Sequence, residues 1–259
     1  MTAPSPTKCA LSFYVLGVRV DAVQIDDVVL RMEQWIRDKN EGHFISVTGM
    51  HGVNESRKDS NFRTILNSSA LVVPDGMPLV WLARRHGFPL KRRVYGPELM
   101  ATFCERTGGR YRHFLYGGAS GVPEELGQVL QQRYGNTIVG TFSPPFRDLS
   151  EEEKEDIVQR IRAAKPDLVW VGLSTPKQER WMAEHRRRLG VPVLVGVGAA
   201  YDFHTGRVKQ APLWLRENGF EWFFRLASEP KRLWRRYLIG GSQFVWAVLL
   251  ETLRIKSFN

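Results

Sequence analysis

Cysteine is almost absent from this chain of 259 residues: there are two, Cys9 and Cys104. Two thiols alone build neither a disulfide framework nor a zinc site, so a small stapled secreted fold is excluded and a reducing compartment fits. Long apolar runs are missing too. No stretch reaches the ~18 uninterrupted apolar residues of a spanning helix. The nearest, 237–250, is diluted by Gly240, Gly241, Ser242 and Gln243. No apolar segment follows the start Met1-Thr-Ala-Pro-Ser-Pro-Thr-Lys8, which argues against a secretory signal. The histidines, at 43, 51, 86, 113, 185 and 204, show no His-x-x-x-His or His-Glu-x-x-His spacing, and Asp-x-Asp is absent, so no bound metal is expected. No Gly-x-Ser-x-Gly elbow exists, which argues against an α/β-hydrolase.

What remains is an ordinary core-forming composition, 43% hydrophobic and 25% charged, long enough for one large domain or two small ones. Lys and Arg number 37 against 27 Asp and Glu, a net charge of +10. A surplus of that size points to an anionic partner: nucleic acid, a membrane surface or a phosphorylated substrate.

Short β-rich runs alternate with helical patterns. Strands are predicted at 13–20, 44–48, 71–74, 112–116, 137–141, 168–172 and 193–197. Helices are predicted at 24–39, 53–66, 77–85, 97–106, 123–133, 151–164 and 176–189. Ser150 with Glu153, and Thr175 with Gln178, fit capping boxes. Near-continuous apolar strands between helices predict an α/β fold: a Rossmann-like, mostly parallel sheet covered by helices on both faces. Charge is uneven along the chain. Residues 205–259 hold ten Lys and Arg against four acids, and four of the eight tryptophans: Trp214, Trp222, Trp234 and Trp246. No strand pattern appears there. The reading is an α/β domain at 1–204 followed by a helical C-terminal appendage at 205–259.

In open α/β sheets ligands bind beyond the carboxyl ends of the strands. Those ends carry Thr48-Gly-Met-His51, Pro74-Asp-Gly76, Gly117-Gly-Ala-Ser-Gly121, Gly172-Leu-Ser-Thr-Pro-Lys-Gln-Glu179 and Gly198-Ala-Ala-Tyr-Asp202. For Asp75 a turn aspartate or helix cap is the simpler reading of the triplet; a general base is the functional one. Thr48 is a hydrogen-bond donor or a strand-end cap, and Gln178 and Asp202 are site residues or caps. Gly117 and Gly118, with Gly121, resemble a phosphate-approach turn without completing Gly-x-Gly-x-x-Gly. In the run Arg84, Arg85, Lys91, Arg92, Arg93, the last stands nearest the following turn and suits a phosphate.

Taken together and in order, these segments resemble the WecG/TagA/CpsF family of bacterial glycosyltransferases. The resemblance rests on the Thr48 loop, Leu71-Val-Val-Pro-Asp-Gly76, Arg93-Val-Tyr-Gly96, Phe114-Leu-Tyr-Gly-Gly118 and Pro166-Asp-Leu-Val-Trp-Val-Gly172. It continues through Pro176-Lys-Gln-Glu-Arg-Trp181, Gly196-Val-Gly-Ala-Ala-Tyr-Asp202, Gly206-Arg-Val-Lys-Gln-Ala-Pro212 and Glu221-Trp-Phe-Phe-Arg225. It ends with Glu229-Pro230 and the 232–237 segment, and so spans roughly residues 12–237. It implies an inverting, metal-independent transfer from a UDP-sugar to a polyprenyl-diphosphate-linked saccharide, in cell-surface polysaccharide synthesis. No cofactor is implied. By the same resemblance Asp75 is the base with Thr48 beside it, and Gln178 and Asp202 hold the donor with the Gly117-Gly118 turn. Arg93, Arg235 and Arg236 meet the acceptor's diphosphate. The chain departs from the family at Met50, where the first loop often carries Asn; Asn54 or His51 substitutes, or the donor sugar differs. The Ser143-Pro-Pro-Phe-Arg147 loop looks more like exopolysaccharide members.

The implied location is cytoplasmic, peripheral on the inner face of the cytoplasmic membrane. Lys231, Arg232, Arg235 and Arg236 ahead of the apolar 244–250 run fit an inner-leaflet surface. A terminal helix packed on the core, or a homo-oligomer contact, is the plainer reading of that run. Two other functions compete. A Rossmann-type nucleotide-sugar epimerase or dehydrogenase needs a Gly-x-Gly-x-x-Gly after its first strand, where this chain has Gly17-Val-Arg-Val-Asp21. A non-enzymatic basic protein on membrane or nucleic acid fits the charge, but no nucleic-acid module is visible, and no nucleic-acid partner is expected.

Overall fold

The computed structural model describes residues 11–39, 41–255 and 257–258. Cys9, the Met1–Lys8 start and Lys256 lie outside the described residues. In chain order the strands are β1 (Ser12–Val15), β2 (Val18–Asp21), β3 (His43–Thr48), β4 (Leu71–Pro74), β5 (Arg112–Gly117), β6 (Thr137–Phe142), β7 (Leu168–Gly172) and β8 (Val193–Gly196). The helices of the first two hundred residues are α1 (Ile25–Arg37), α2 (Met50–Lys58), α3 (Ser60–Asn67), α4 (Met77–Arg85), α5 (Gly96–Thr107), α6 (Val122–Tyr134), α7 (Glu151–Ala164), α8 (Lys177–His185) and α9 (Ala200–His204). Then come α10 (Leu213–Glu217), α11 (Glu221–Ser228), α12 (Pro230–Trp234), a π-helical turn at Arg235–Ile239, and α13 (Gly240–Thr252).

Six strands form one parallel sheet in the order β4-β3-β8-β7-β5-β6. Side chains alternate between its faces, as the two-residue strand period requires. Ile45, Val47, Leu168, Trp170, Val193 and Val195 pack with α1, α5 and α6 on one side. Phe44, Val169, Val171 and Leu194 pack with α7 and α8 on the other. Both faces are covered, which is why the inner strands read as unbroken apolar runs. The edge strand β6 stays partly exposed.

Three sequence expectations change. The predicted strand 13–20 is an antiparallel hairpin outside the main sheet, because Leu16 and Gly17 turn the chain with φ of 51° and 81°. The predicted helix 53–66 starts at Met50 and breaks at Asp59, whose side chain accepts from the Phe62 N–H at 3.0 Å and caps α3. The predicted box of Thr175 with Gln178 does not form: Thr175 Oγ1 donates to Glu179 instead, at 2.9 Å. The box at Ser150 and Glu153 does form.

The topology opens a crevice at one place. The chain leaves β3 into α2, which packs with α3 and α13, and leaves β8 into α9, which packs with α5 and α6 on the opposite face. β3 and β8 are neighbours, so their carboxyl ends diverge above and below the sheet, the arrangement that makes a ligand crevice. Over β5 and β7 the same rim is filled. The Tyr201 hydroxyl donates to the Trp170 carbonyl at 2.8 Å, and a Cβ at Gly172 or Gly118 would meet its ring at 2.9 or 3.1 Å.

Gly117 shows how tight that filled rim is. Its φ is +117°, and a Cβ there would sit 2.7 Å from the Gly172 backbone. Gly121 also has positive φ, +81°, but open space around it. Gly117→Ala adds overpacking to strain and is expected to cost about 2–4 kcal/mol, against about 1–2 for Gly121→Ala. Thermal unfolding of the two variants checks this; equal melting temperatures would refute the packing account of Gly117.

Candidate active site

The crevice is a cavity of about 520 Å³ at the carboxyl ends of β4, β3 and β8, roofed by α11 and the helices that follow. Its floor is set by strand register. Thr48 pairs with Pro74, and the next amide, Asp75 N–H, donates to the Thr48 carbonyl at 2.8 Å. The two strand ends cross so closely that a Cβ on Gly49 would lie 2.4 Å from the Asp75 carbonyl oxygen. Gly76, with φ of 110°, then turns the chain into α4. Asp75 is thereby fixed at the cavity wall.

The Asp75 carboxylate keeps about a third of its side-chain surface, facing the cavity. Its Oδ1 has no hydrogen-bond partner. Burial by the surrounding wall is the main effect and raises its pKa above the ordinary aspartate value; Arg93 works against this and Glu221 with it. Thr48 is buried beneath, and its Oγ1 is likewise unpartnered. Arg93 stacks on the Tyr95 ring at 4.2 Å, hydrogen-bonds Glu221 through Nη2, and holds Nη1 3.9 Å from Asp75 Oδ1.

Glu221, Arg225, Arg232 and Arg236 enter the cavity from α11 and the segment after it. Arg232 is paired with Glu229 at 2.7 Å. Neither Arg225 nor Arg236 is in an ion pair among the described residues, and the buried Arg225 Nε has no partner. Surrounding protein, then the repulsion of Arg225 and Arg232, push Arg236 below the ordinary arginine value. The cavity thus holds two carboxylates against four guanidiniums. His51 lies in the same wall and is pushed down to about 4, by burial first and by Arg236 second, so it is neutral at pH 7.

On the β8 side Gln178 is buried with its amide oriented. Oε1 accepts from Gly198 N–H at 3.1 Å and Nε2 donates to Glu179 at 3.0 Å. Gly196 leaves room for it, since a Cβ there would stand 3.1 Å from the amide. Glu179 is fully buried and carries a second bond from Thr175.

The structure therefore brings Asp75, Arg93, Gln178 and Arg236 to one cavity, with Thr48 under it. Gly117, abutting the Gly172 backbone, Gly118, abutting the ring of Tyr201, and Asp202 lie outside the cavity lining. Arg235 is exposed outside it too, its guanidinium 5.3 Å from the Trp234 ring. Both substitutes for the family's asparagine, His51 and Asn54, line the cavity, and the Asn54 amide donates to the Gly240 carbonyl at 2.6 Å. Glu221, Arg225 and Glu179 received no role from sequence reasoning. The signal was present for the first two, as the ends of Glu221-Trp-Phe-Phe-Arg225, four residues apart on one helix face.

Comparison with known proteins identifies the family. Curated relatives include proteins named N-acetylglucosaminyldiphosphoundecaprenol N-acetyl-beta-D-mannosaminyltransferase. The one from Staphylococcus aureus is 30% identical over 223 residues, covering 85% of this chain and 86% of its own. Those from Bacillus spizizenii and Bacillus subtilis are each 28% identical, over 227 and 231 residues, covering 87% and 88% of this chain and 86% and 87% of theirs. The family model described as glycosyl transferase WecG/TagA/CpsF matches residues 13–257, and the chain is a glycosyltransferase belonging to that family.

Proposed function

We propose that this enzyme transfers a sugar, of the N-acetylhexosamine type used by its relatives, from a UDP-sugar to a polyprenyl-diphosphate-linked saccharide, with inversion. The observation that carries this reading is Asp75, a carboxylate side chain about a third exposed at the wall of a cavity with a guanidinium surplus, its inner Oδ1 without a hydrogen-bond partner. Inversion needs one base on the attack face, taking the proton of the acceptor hydroxyl as its oxygen attacks the anomeric carbon. Charge then builds on the departing diphosphate. Arg225 and Arg236, free of carboxylate partners, suit that charge, and Thr48 Oγ1 has a hydrogen bond to give near the base. Gln178, its amide already oriented, holds the donor; a nucleotide reaching past Ala199 would meet Asp202 and the Gly117-Gly118 turn. Arg93 acts beside the base, and Arg235 at the headgroup level of the acceptor.

The acceptor's lipid tail calls for a membrane face. Among the described residues no helix is long and apolar enough to cross a membrane. α13 instead has two apolar faces. Phe244 and Ala247 are buried in the core with α3, α4 and the β1–β2 hairpin. Val245, Trp246 and Leu249 are 64%, 62% and 43% exposed, alongside exposed Leu238 and Ile239. Exposed Lys231, Arg232 and Arg235 lie just upstream. That pairing of apolar insertion with cationic attraction suits the anionic inner leaflet.

Asp75→Asn keeps size and polarity but removes the proton acceptor. Transfer is expected to fall ~10²–10⁴-fold with UDP binding little changed. Assay of a UDP-sugar panel with lipid-linked N-acetylglucosamine diphosphate tests both reading and residue; near-wild-type turnover by folded Asp75→Asn would remove Asp75 as base. Added EDTA is expected to leave turnover intact, and full dependence on Mg²⁺ or Mn²⁺ would overturn the guanidinium account.

Because α13 contributes to the core, truncation before it is expected to destabilise the protein rather than simply release it from membranes. The membrane reading is tested by Trp246→Glu with Leu249→Glu, both on the exposed face. Co-sedimentation with anionic vesicles is expected to weaken at least ~10-fold, since apolar burial is replaced by charge. Raising salt should weaken wild-type binding only in part, through the cationic contribution. Equal sedimentation of variant and wild type would rule this face out.

A further inference from the structure

Asp75 and Arg93 are tied together by the backbone: Val94 N–H donates to the Pro74 carbonyl at 2.8 Å, one residue from each. An aspartate and an arginine so placed ordinarily close into a charge-assisted pair with N–O distances of ~2.7–2.9 Å. Here they do not. Nη1 stops 3.9 Å from Oδ1, beyond hydrogen-bond reach, and Oδ1 is left with no partner. Glu221 accounts for the gap. It accepts from Arg93 Nη2, while the Tyr95 ring supports the plane of the guanidinium at 4.2 Å. Both members of the Arg93–Glu221 pair are buried, with side chains 14% and 8% exposed, so water does little to weaken the hold.

We infer that Glu221 is a positioning residue that draws the Arg93 guanidinium off Asp75 and so keeps the Asp75 carboxylate from closing into an ion pair, free to take the proton of the acceptor hydroxyl. This rests on the reading of Asp75 as the base. The groups facing Asp75 are Arg93 and Tyr95 from the segment before α5, Glu221 and Arg225 from α11, and Arg236 from the π-helical turn. Of these, Glu221 alone is a second carboxylate. It has two effects of one sign: its charge disfavours ionisation of Asp75, and its bond holds the nearest cation beyond hydrogen-bond reach, so that Arg93 favours ionisation less than a closed pair would.

The test is the pH dependence of kcat for the full-length chain with a UDP-sugar and a lipid-linked saccharide. A base must be ionised, so activity falls as pH drops through the Asp75 pKa, which burial has raised. Glu221→Gln removes the repelling charge and lets Arg93 close on Asp75. The acid limb is expected to move down by about one pH unit or more, and kcat at neutral pH to fall at least ~10-fold, with the donor KM within ~3-fold. A merely structural Glu221 would lower kcat without moving the limb, and an unmoved limb overturns the inference. Should Glu221→Gln fail to fold, Glu221→Asp carries the test. It keeps the negative charge beside Asp75 and Arg93, so the limb is expected near the wild-type position; a fall of about one pH unit or more overturns the inference. Asp75→Asn in the same assay separates the two claims. If it is inactive while the limb of Glu221→Gln is unmoved, only the role of Glu221 is lost. If it turns over like wild type, the base and this inference fall together.

Discussion

The backbone bond from Asp75 N–H to the Thr48 carbonyl is the contact on which the rest of the cavity depends. It extends the parallel register of β3 and β4 by one residue past the strands, and so carries the precision of a sheet into a loop. Gly49 is needed because the two chain segments touch there, and Gly76 because the chain must turn at once into α4. A carboxylate held this way has little freedom to seek its own partner. That lets Oδ1 remain unpaired, while Glu221 holds the nearest cation 3.9 Å away. Buried polar atoms without partners are uncommon, and around this cavity Thr48, Asp75, Tyr95, Glu179 and Arg225 each contribute one. Five of the ten such side-chain atoms among the described residues lie around this one crevice, as at a site prepared for a polar ligand.

Much of the fold was legible because its signals are local or strictly periodic. Six predicted strands fall on the six sheet strands, since a doubly covered parallel sheet demands unbroken apolar runs and nothing else in the chain competes with them. The readings that missed were set by single residues acting against a pattern. Apolar alternation continues across Leu16-Gly17 although the backbone reverses there. Asp59 sits inside an amphipathic helical pattern, and its side chain ends one helix by capping the next. At Thr175 the spacing of a capping box is present, but Glu179, buried one residue beyond, takes the hydroxyl. Each is a case of a tertiary or side-chain contact outweighing propensity.

Legibility of the site followed the same division. Asp75, Thr48 and Gln178 stand at strand ends or at the first turn after them, where the topology rule alone points. Gly117 and Gly118 satisfied that rule equally, yet their rim is filled by Tyr201, a long-range packing event that no motif announces. Arg93 was marked by charge; its partner Glu221, 128 residues away, was not. Contacts of that separation depend on where the last helices fold back, and composition reports only that those helices are basic and aromatic. Arg235 and Arg236 show the limit most simply. They are adjacent in sequence and both exposed, yet the π-helical turn places Arg236 in the cavity lining and Arg235 outside it.

The last forty residues thus do three things with one set of helices, and the constraint of doing so explains their composition. One face of α13 must close the apolar gap over α3, α4 and the hairpin, which Phe244 and Ala247 do. A second face of the region presents Glu221, Arg225, Arg232 and Arg236 to the cavity. A third surface is apolar and exposed, at Phe223, Leu238, Val245, Trp246 and Leu249. A helix that is apolar on two sides and ends beside a cationic site is poorly suited to water alone. It suits a place where apolar and anionic surfaces meet, and a lipid-linked diphosphate sugar presents both in one molecule. The same segment also supplies Glu221, the carboxylate bonded to Arg93 beside Asp75. One contact between residues 128 apart in sequence thus ties the seating of α11 to the surroundings of the Asp75 carboxylate.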